Sequence, residues 1–399
     1  MQSFTSGSFL LMLLSVGVAQ AQDRPRAALP KEETVARYGL VRRWYGYAPV
    51  DGVREKVQSI MVVGDQVHLQ TNASRIHVMH AESGKLLWSA QLGRPIPGQF
   101  GSAINSKSVF AIHGTSLYRL DRLDGTQRWT FRLPSVPNAA PSADESHVIV
   151  STADGRVYLY AAEDHELIWY YQTNKPVSMP AALLDERIAC ASEDNMMYVF
   201  QVASRNPTLR FQTDGPVSAP MATFGARLVL VPSRDYNVYC VDVRTGEERW
   251  RYTSGAEIRR PVSVIGDEAY VLPEDNGMHV LNAGTTAKRG ERLWWYPRAQ
   301  EFVAASEKRV YAADKFHQLL ILDRSNGRVL GVWDTHEFDF RARNETNDRL
   351  SLATRDGLIV CLHERENKEP FVHPKGSPTS DGQKPGKTPA KEKPEVETP

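Results

Sequence analysis

Residues 237–252 read NVYCVDVRTGEERWRY. Val238, Cys240 and Val241 form a short apolar strand. Residues 242–246 make a turn, in which Gly246 supplies the positive φ that a tight reversal needs. Four residues on, Trp250 opens a second short strand. Alone, this is a hairpin signal. Its weight comes from recurrence at intervals of about 40 residues.

Other copies are IHVMHAESGKLLW at 76–88, LYRLDRLDGTQRW at 117–129, and VYLYAAEDHELIW at 157–169, where His165 stands in the glycine position. MYVFQVASRNPTLRF at 197–211 has Phe211 for tryptophan and no turn glycine. Residues 277–294 carry an insertion but keep Gly290 four residues before Trp294. LLILDRSNGRVLGVW at 319–333 has a longer spacing from glycine to tryptophan. The last apolar strand of this kind, LIVCLH at 358–363, is followed by no tryptophan, and the missing ring stands at the other end of the chain, at Trp44. The blade markers are therefore Trp44, Trp88, Trp129, Trp169, Phe211, Trp250, Trp294 and Trp333, at intervals of 44, 41, 40, 42, 39, 44 and 39.

Three further apolar runs follow each marker, so the period holds four short strands. This predicts an all-β, eight-bladed β-propeller of four-stranded antiparallel blades over residues 38–364. If the blade boundary lies elsewhere in the repeat, the strand around Trp44 completes the blade of the strands near Cys361, which closes the ring and leaves no long sheet edge. The rings are expected to fill the wedges between neighbouring blades, a structural role.

The unit strand–D-x-x-T/S-G-x-x-x-W resembles the repeat of the quinoprotein-type (PQQ-like) propellers. That family includes quinone-dependent dehydrogenases and non-catalytic BamB-like propellers. The resemblance implies the propeller fold. It leaves function open, because one repeat serves both catalysis and scaffolding. Trp333-Asp334 is the only WD dipeptide, so the pattern is not that of WD40 repeats.

The 399 residues carry 48 basic and 47 acidic side chains. This balance carries no signature of a nucleic-acid or anionic-membrane binder. Residues 1–21 read as a secretory signal, with an apolar core at 9–18 and Ala19-Gln20-Ala21 as the cleavage site. The apolar run is too short to span a membrane. No cysteine stands near the site, so lipid attachment is not expected. The mature protein is expected to be exported, periplasmic or envelope-associated, soluble and not lipidated. Residues 22–37 form a polar arm with one or two helical turns, which either packs on the rim or docks a partner. Residues 365–399 are rich in Pro, Lys, Glu, Gly, Ser and Thr, and are expected to be a disordered tail.

The chemistry-bearing residues are sparse. Cys190, Cys240 and Cys361 lie in apolar strand runs and read as buried small side chains. His77, His80, His113, His147, His165, His279, His317 and His363 are scattered and form no metal-binding motif. Asp154-Gly155, Asp194-Asn195, Asp275-Asn276-Gly277 and Asp356-Gly357 read as hairpin turns rather than metal loops. No catalytic, cofactor-binding or metal residue is assigned.

The reading is an exported, non-enzymatic, monomeric scaffold that binds a protein partner in the cell envelope, BamB-like, with no cofactor. Apolar loop residues Pro95, Ile96, Pro97 and Phe100, and Phe338 with Phe340, are candidate anchors. One alternative is a PQQ-dependent dehydrogenase. The resemblance implies that its quinone would lie over the channel against an adjacent-Cys disulfide, with calcium held by Glu, Asn and Asp. The chain has no adjacent Cys pair. The other alternative is a sensor that binds a small ligand at the central channel.

Overall fold

A computed structural model of the chain describes residues 29–96, 100–284 and 288–374. Its described residues form one short helix, Glu32–Arg37, and thirty-two strands in eight four-stranded antiparallel sheets. The sheets are the blades of an eight-bladed propeller. Seven are consecutive in the chain: blade 1 (57–91), blade 2 (103–132), blade 3 (142–172), blade 4 (182–212), blade 5 (222–253), blade 6 (263–296) and blade 7 (301–334). Blade 8 takes three strands from 340–364, and its outer strand is Leu40–Tyr47, paired antiparallel with Leu358–Glu364 so that Trp44 faces Cys361. The marker strand is thus the outermost strand of its blade, and the N-terminal strand closes the ring.

Eight apolar clusters lie one at each blade interface. Between blades 5 and 6, for example, Leu230, Cys240 and Trp250 meet Ala269, Val271 and Leu281. A blade alone leaves both faces bare. Only its two neighbours bury them, which is why stability here belongs to the closed ring.

The repeat unit makes sense at these interfaces. Trp88 packs where the turn of blade 2 approaches, and its indole Nε1 donates to Arg122 O at 2.9 Å. Trp44, Trp169 and Trp294 donate in the same way to Ala81 O, Val202 O and Arg324 O, at 2.7, 2.8 and 2.7 Å. The glycine of the receiving turn is needed twice over. Gly125 has φ +73°, and a Cβ on it would stand 2.5 Å from Trp88 Cε3. In blade 3 the equivalent residue, His165, takes φ +57°, and its ring packs 5.2 Å from that of Trp129. We expect Gly125→Ala to cost about 3 kcal/mol, the left-handed penalty plus displacement of Trp88. Gly266→Ala (φ +57°, open space around the added Cβ) should cost only about 1 kcal/mol. Urea titration of the two variants checks the contrast.

Six of the eight markers share one structural position, beside a β-bulge in the outer strand. Trp88 opposes Val78 while Leu86 opposes Met79, leaving Leu87 as the extra residue. Trp44, Trp129, Trp169, Trp250 and Trp294 sit likewise. Phe211 and Trp333 do not. In blade 4 the bulge position holds Leu209, opposite Val199, and in blade 7 it holds Gly331, opposite Ile321. Phe211 and Trp333 stand two residues further along, on the same side of the strand because the pleat repeats every two residues. Gly246 of blade 5 accordingly receives Leu209, which a Cβ there would meet at 2.6 Å. Beside Gly331, Tyr38 fills the space and stacks on Trp333 at 5.8 Å.

With Leu209 in place of an indole, blade 4 lacks the ring that Trp169 and Trp250 supply in its neighbours, and the hydrogen bond that the Trp169 indole makes to Val202 O. Amide exchange should be faster at residues 188–199 of blade 4 than at 229–241 of blade 5. Equal or slower exchange there would refute this.

The helix Glu32–Arg37 lies on the rim. Val35 is buried with Trp333 and Phe338, and Arg42 ties the arm down by donating to Pro30 O at 3.0 Å and pairing with Glu32 at 2.7 Å. Residues 365–374, expected to belong to the disordered tail, are instead held in place. His373 N donates to Thr346 O, and Phe371 N to Asp348 Oδ1 at 3.0 Å, so the chain stays packed to Pro374. Backbone donors and buried Asp348 hold this segment where composition alone suggested none. Residues 1–21, expected to be a signal segment, and residues 375–399 lie outside the described residues.

Candidate functional site

Turns alternate between the two faces of an antiparallel blade. The connections between second and third strands share one face with the long links from blade to blade. In most blades that turn is built on a small residue with positive φ: Ser74, Gly155, Asn195, Gly277 and Gly357. These include the acidic pairs read above as hairpin turns. In blade 5 the position holds Tyr236 at φ +72°, and in blade 7 His317 at φ +62°, next to Phe316. Bulky side chains seldom take this conformation, so their surroundings must hold them in it.

Those surroundings are polar. Asp235 Oδ2 accepts from Tyr239 Oη at 2.6 Å and from Gly215 N at 3.0 Å. Burial, then the bond to Asp235, pushes the Tyr239 hydroxyl up to about 12. The Arg251 guanidinium lies 4.5 Å from the Tyr239 ring centroid and pairs with Glu248 and Asp214 at 2.8 and 3.2 Å. In blade 7 the buried Asp314 carboxylate accepts from Phe316 N and Gln318 N and pairs with Arg298 at 2.6 Å. The result is a face with exposed aromatic rings on rigid turns: Tyr236 (47 % exposed), Phe316 (61 %) and, on the outer strand of blade 6, Trp295 (43 %). Trp295 Nε1 is anchored to Asn276 O at 2.7 Å. Aromatic anchors on a loop-rich face are the composition of contact surfaces.

The candidate anchors named from sequence fare differently. Pro95 is exposed, Ile96 is half-buried, and Pro97 lies outside the described residues. Phe100 packs onto the cluster between blades 2 and 3. Phe338 is a core residue, 2 % exposed, and Phe340 is half-buried against the interface of blades 8 and 1. These two are not anchors: the short inner strand of blade 8 folds them inward. Tyr236, Trp295 and Phe316 were missed. For Tyr236 and Phe316 a readable signal existed, an aromatic or histidine in a turn where other repeats place Gly or Asn; Trp295, on a strand, carried no such signal.

At the ring's centre, small side chains such as Ala103, Ala143, Ala182 and Ala222 border a cavity of about 340 Å³. A second cavity, about 480 Å³, lies by Ser59, Gln70 and Ser102. Arg343 and Glu345, in the loop between the inner strands of blade 8, border both. Asn344 holds that loop, with Nδ2 donating to Arg349 O at 3.0 Å. Cys190, Cys240 and Cys361 are fully buried in three different blades as unpaired thiols, and burial pushes each up to about 12. Among the described residues no three His, Cys, Asp or Glu side chains are placed to share a metal ion, and no helix is long and apolar enough to cross a membrane.

Residues 72–207 and 198–335 match the family model described as outer membrane protein assembly factor BamB. The chain belongs to this family. A curated relative, the outer membrane protein assembly factor BamB of Burkholderia pseudomallei (strain K96243), is 29 % identical over 114 residues. That match spans 29 % of this chain and 29 % of the relative's own length. The crystal structure of BamB from Moraxella catarrhalis superposes with a TM-score of 0.66 at 16 % identity, covering 83 % of this chain and 99 % of that one. The computationally designed Ika8 protein gives 0.64 at 15 % identity, covering 79 % and 98 %. Two structural likenesses this even, one of them to a designed protein, speak to the fold alone.

Proposed function

We propose that this protein is an exported, non-enzymatic scaffold that binds a protein partner during assembly in the cell envelope. The family match across residues 72–335 carries this reading. The face bearing Tyr236, Trp295 and Phe316 supports it by supplying rigid aromatic anchors. The mature chain is taken to lack residues 1–21, to remain unlipidated and to work without a cofactor. The three cysteines stand in separate blades, so they cannot form the adjacent-Cys disulfide that the resemblance implies for quinone enzymes.

A photo-crosslinking residue at Tyr236 or Phe316, introduced in cells, tests the reading. We expect adducts with an envelope protein from both positions and none from Leu123, which is 81 % exposed on the opposite face. Retention of the protein in the cytoplasm, or alcohol oxidation after loading with PQQ and calcium, would overturn it.

A further inference from the structure

We infer that the outer strand of blade 3, Leu167–Gln172, is a docking edge for an extended segment of another polypeptide, which adds to the blade as a fifth antiparallel or parallel strand. The strand reads LIWYYQ and lies at the open edge of its sheet. Thr173 N donates to Gly155 O at 2.8 Å, one step beyond the pair Gln172 and Arg156. The alternation of an antiparallel ladder then puts Trp169 and Tyr171 in bonded pairs and turns the N–H and C=O of Tyr170 and Gln172 toward the free edge. Such a row of donors and acceptors is matched by another strand's backbone.

Edges of this kind are normally guarded by charge, proline or a covering segment. Five of the other seven outer strands contain arginine. That of blade 7 ends in Asp334 and lies beside the N-terminal arm. Blade 1 is uncharged but offers the small Ser89 and Ala90. Blades 1 and 3 both begin an uncharged outer strand with exposed aliphatic side chains, Leu86 (39 %) and Leu87 (38 %) in one and Leu167 (46 %) and Ile168 (44 %) in the other. But blade 3 goes on to expose a large ring, Tyr170 (53 %), where blade 1 has Ser89. Trp169 and Tyr171 turn the other way, into the interface with blade 4, and keep the strand in register.

The flanks specify the occupant. Tyr170, 5.9 Å from Tyr158, offers an aromatic surface to every second side chain of the incoming strand. At the Gln172 end stand two cations: Arg156, which pairs with Asp154 at 3.5 Å and donates Nε to Gln172 Oε1 at 3.1 Å, and Arg210, whose Nη2 donates to Tyr171 Oη at 3.0 Å. The segment that fits is extended, apolar at alternate positions, and acidic at the end that meets Gln172.

The test uses the full chain and a short fluorescent peptide of alternating Thr and Val with a terminal Glu. Its comparison is the same peptide N-methylated at alternate amides, which removes backbone hydrogen bonds and leaves the side chains. Binding of the first should exceed the second by tenfold or more, and Tyr170→Lys or Ile168→Lys should weaken it about tenfold. Leu87→Lys on blade 1 should leave it unchanged. All three positions are exposed, so unchanged thermal midpoints confirm folding. The assignment is overturned if the unmethylated peptide does not bind, if N-methylation has no effect, or if Leu87→Lys weakens binding while Tyr170→Lys does not.

Discussion

Replacing Trp44 with alanine lowers the unfolding free energy by about 3–5 kcal/mol, the range for removing a large buried aromatic side chain. Trp44 is 8 % exposed, and its Nε1 donates to Ala81 O at 2.7 Å. The ring covers Gly84, whose added Cβ would stand 2.3 Å from Cε3, so no residue on that turn can grow to fill the vacated space. Its position adds to the cost. Trp44 is the marker on the one outer strand brought from the far end of the chain, and its cluster joins blades 8 and 1. Trp295→Ala provides the comparison. That ring is 43 % exposed, and its loss should cost about 1 kcal/mol, mostly the hydrogen bond to Asn276 O. Urea unfolding of the two variants decides it. Equal losses would mean that the seam contributes nothing special.

Acid should destabilise the fold through His68 well before carboxylates protonate. His68 is 2 % exposed, Nε2 lies 3.1 Å from Gln66 Oε1, and Arg122 Nε reaches the same oxygen at 3.3 Å. Burial first, and the charge of Arg122 second, hold its pKa down to about 3. Its unfolded value is about 6.5. Between those two values the unfolded chain binds a proton that the folded chain refuses. The folded state therefore loses about 1.4 kcal/mol per pH unit below 6.5, or about 3 kcal/mol by pH 4. Burial holds His77, His279 and His373 below their usual value too, with the same sign. We expect His68→Gln to flatten the profile between pH 6.5 and 4. A variant as acid-sensitive as the parent protein would sink the assignment.

How much of this was legible beforehand varies with the range of the interaction. The strand–turn–strand unit is local: Asp242 O accepts from Gly246 N, and Asp242 Oδ1 from Arg244 N at 2.9 Å, all within one short stretch. A local unit can be read from residue types and spacing. Its recurrence predicted the blades and their number, and pointed to Trp44 as the closing strand.

Phe211 and Trp333 show where spacing misleads. Each is an aromatic in the expected window, but strand pairing, not ring size, decides which residue sits beside the bulge, and that position went to Leu209 and Gly331. The surface was less legible still. Phe338 and Phe340 looked like loop anchors because a two-residue inner strand leaves little pattern to read. Their burial comes from blade 7, just upstream, and from blade 1, at the opposite end of the chain.

By itself, the sequence determined that this chain closes into eight blades, because each turn, strand and ring of the repeat is set by contacts within about 40 residues. Only the tertiary structure decided which strand edge stays unguarded and which aromatic rings face outward. Exposure is settled by what the neighbouring blade covers, and in a ring the last neighbour of the first blade arrives from the opposite end of the chain.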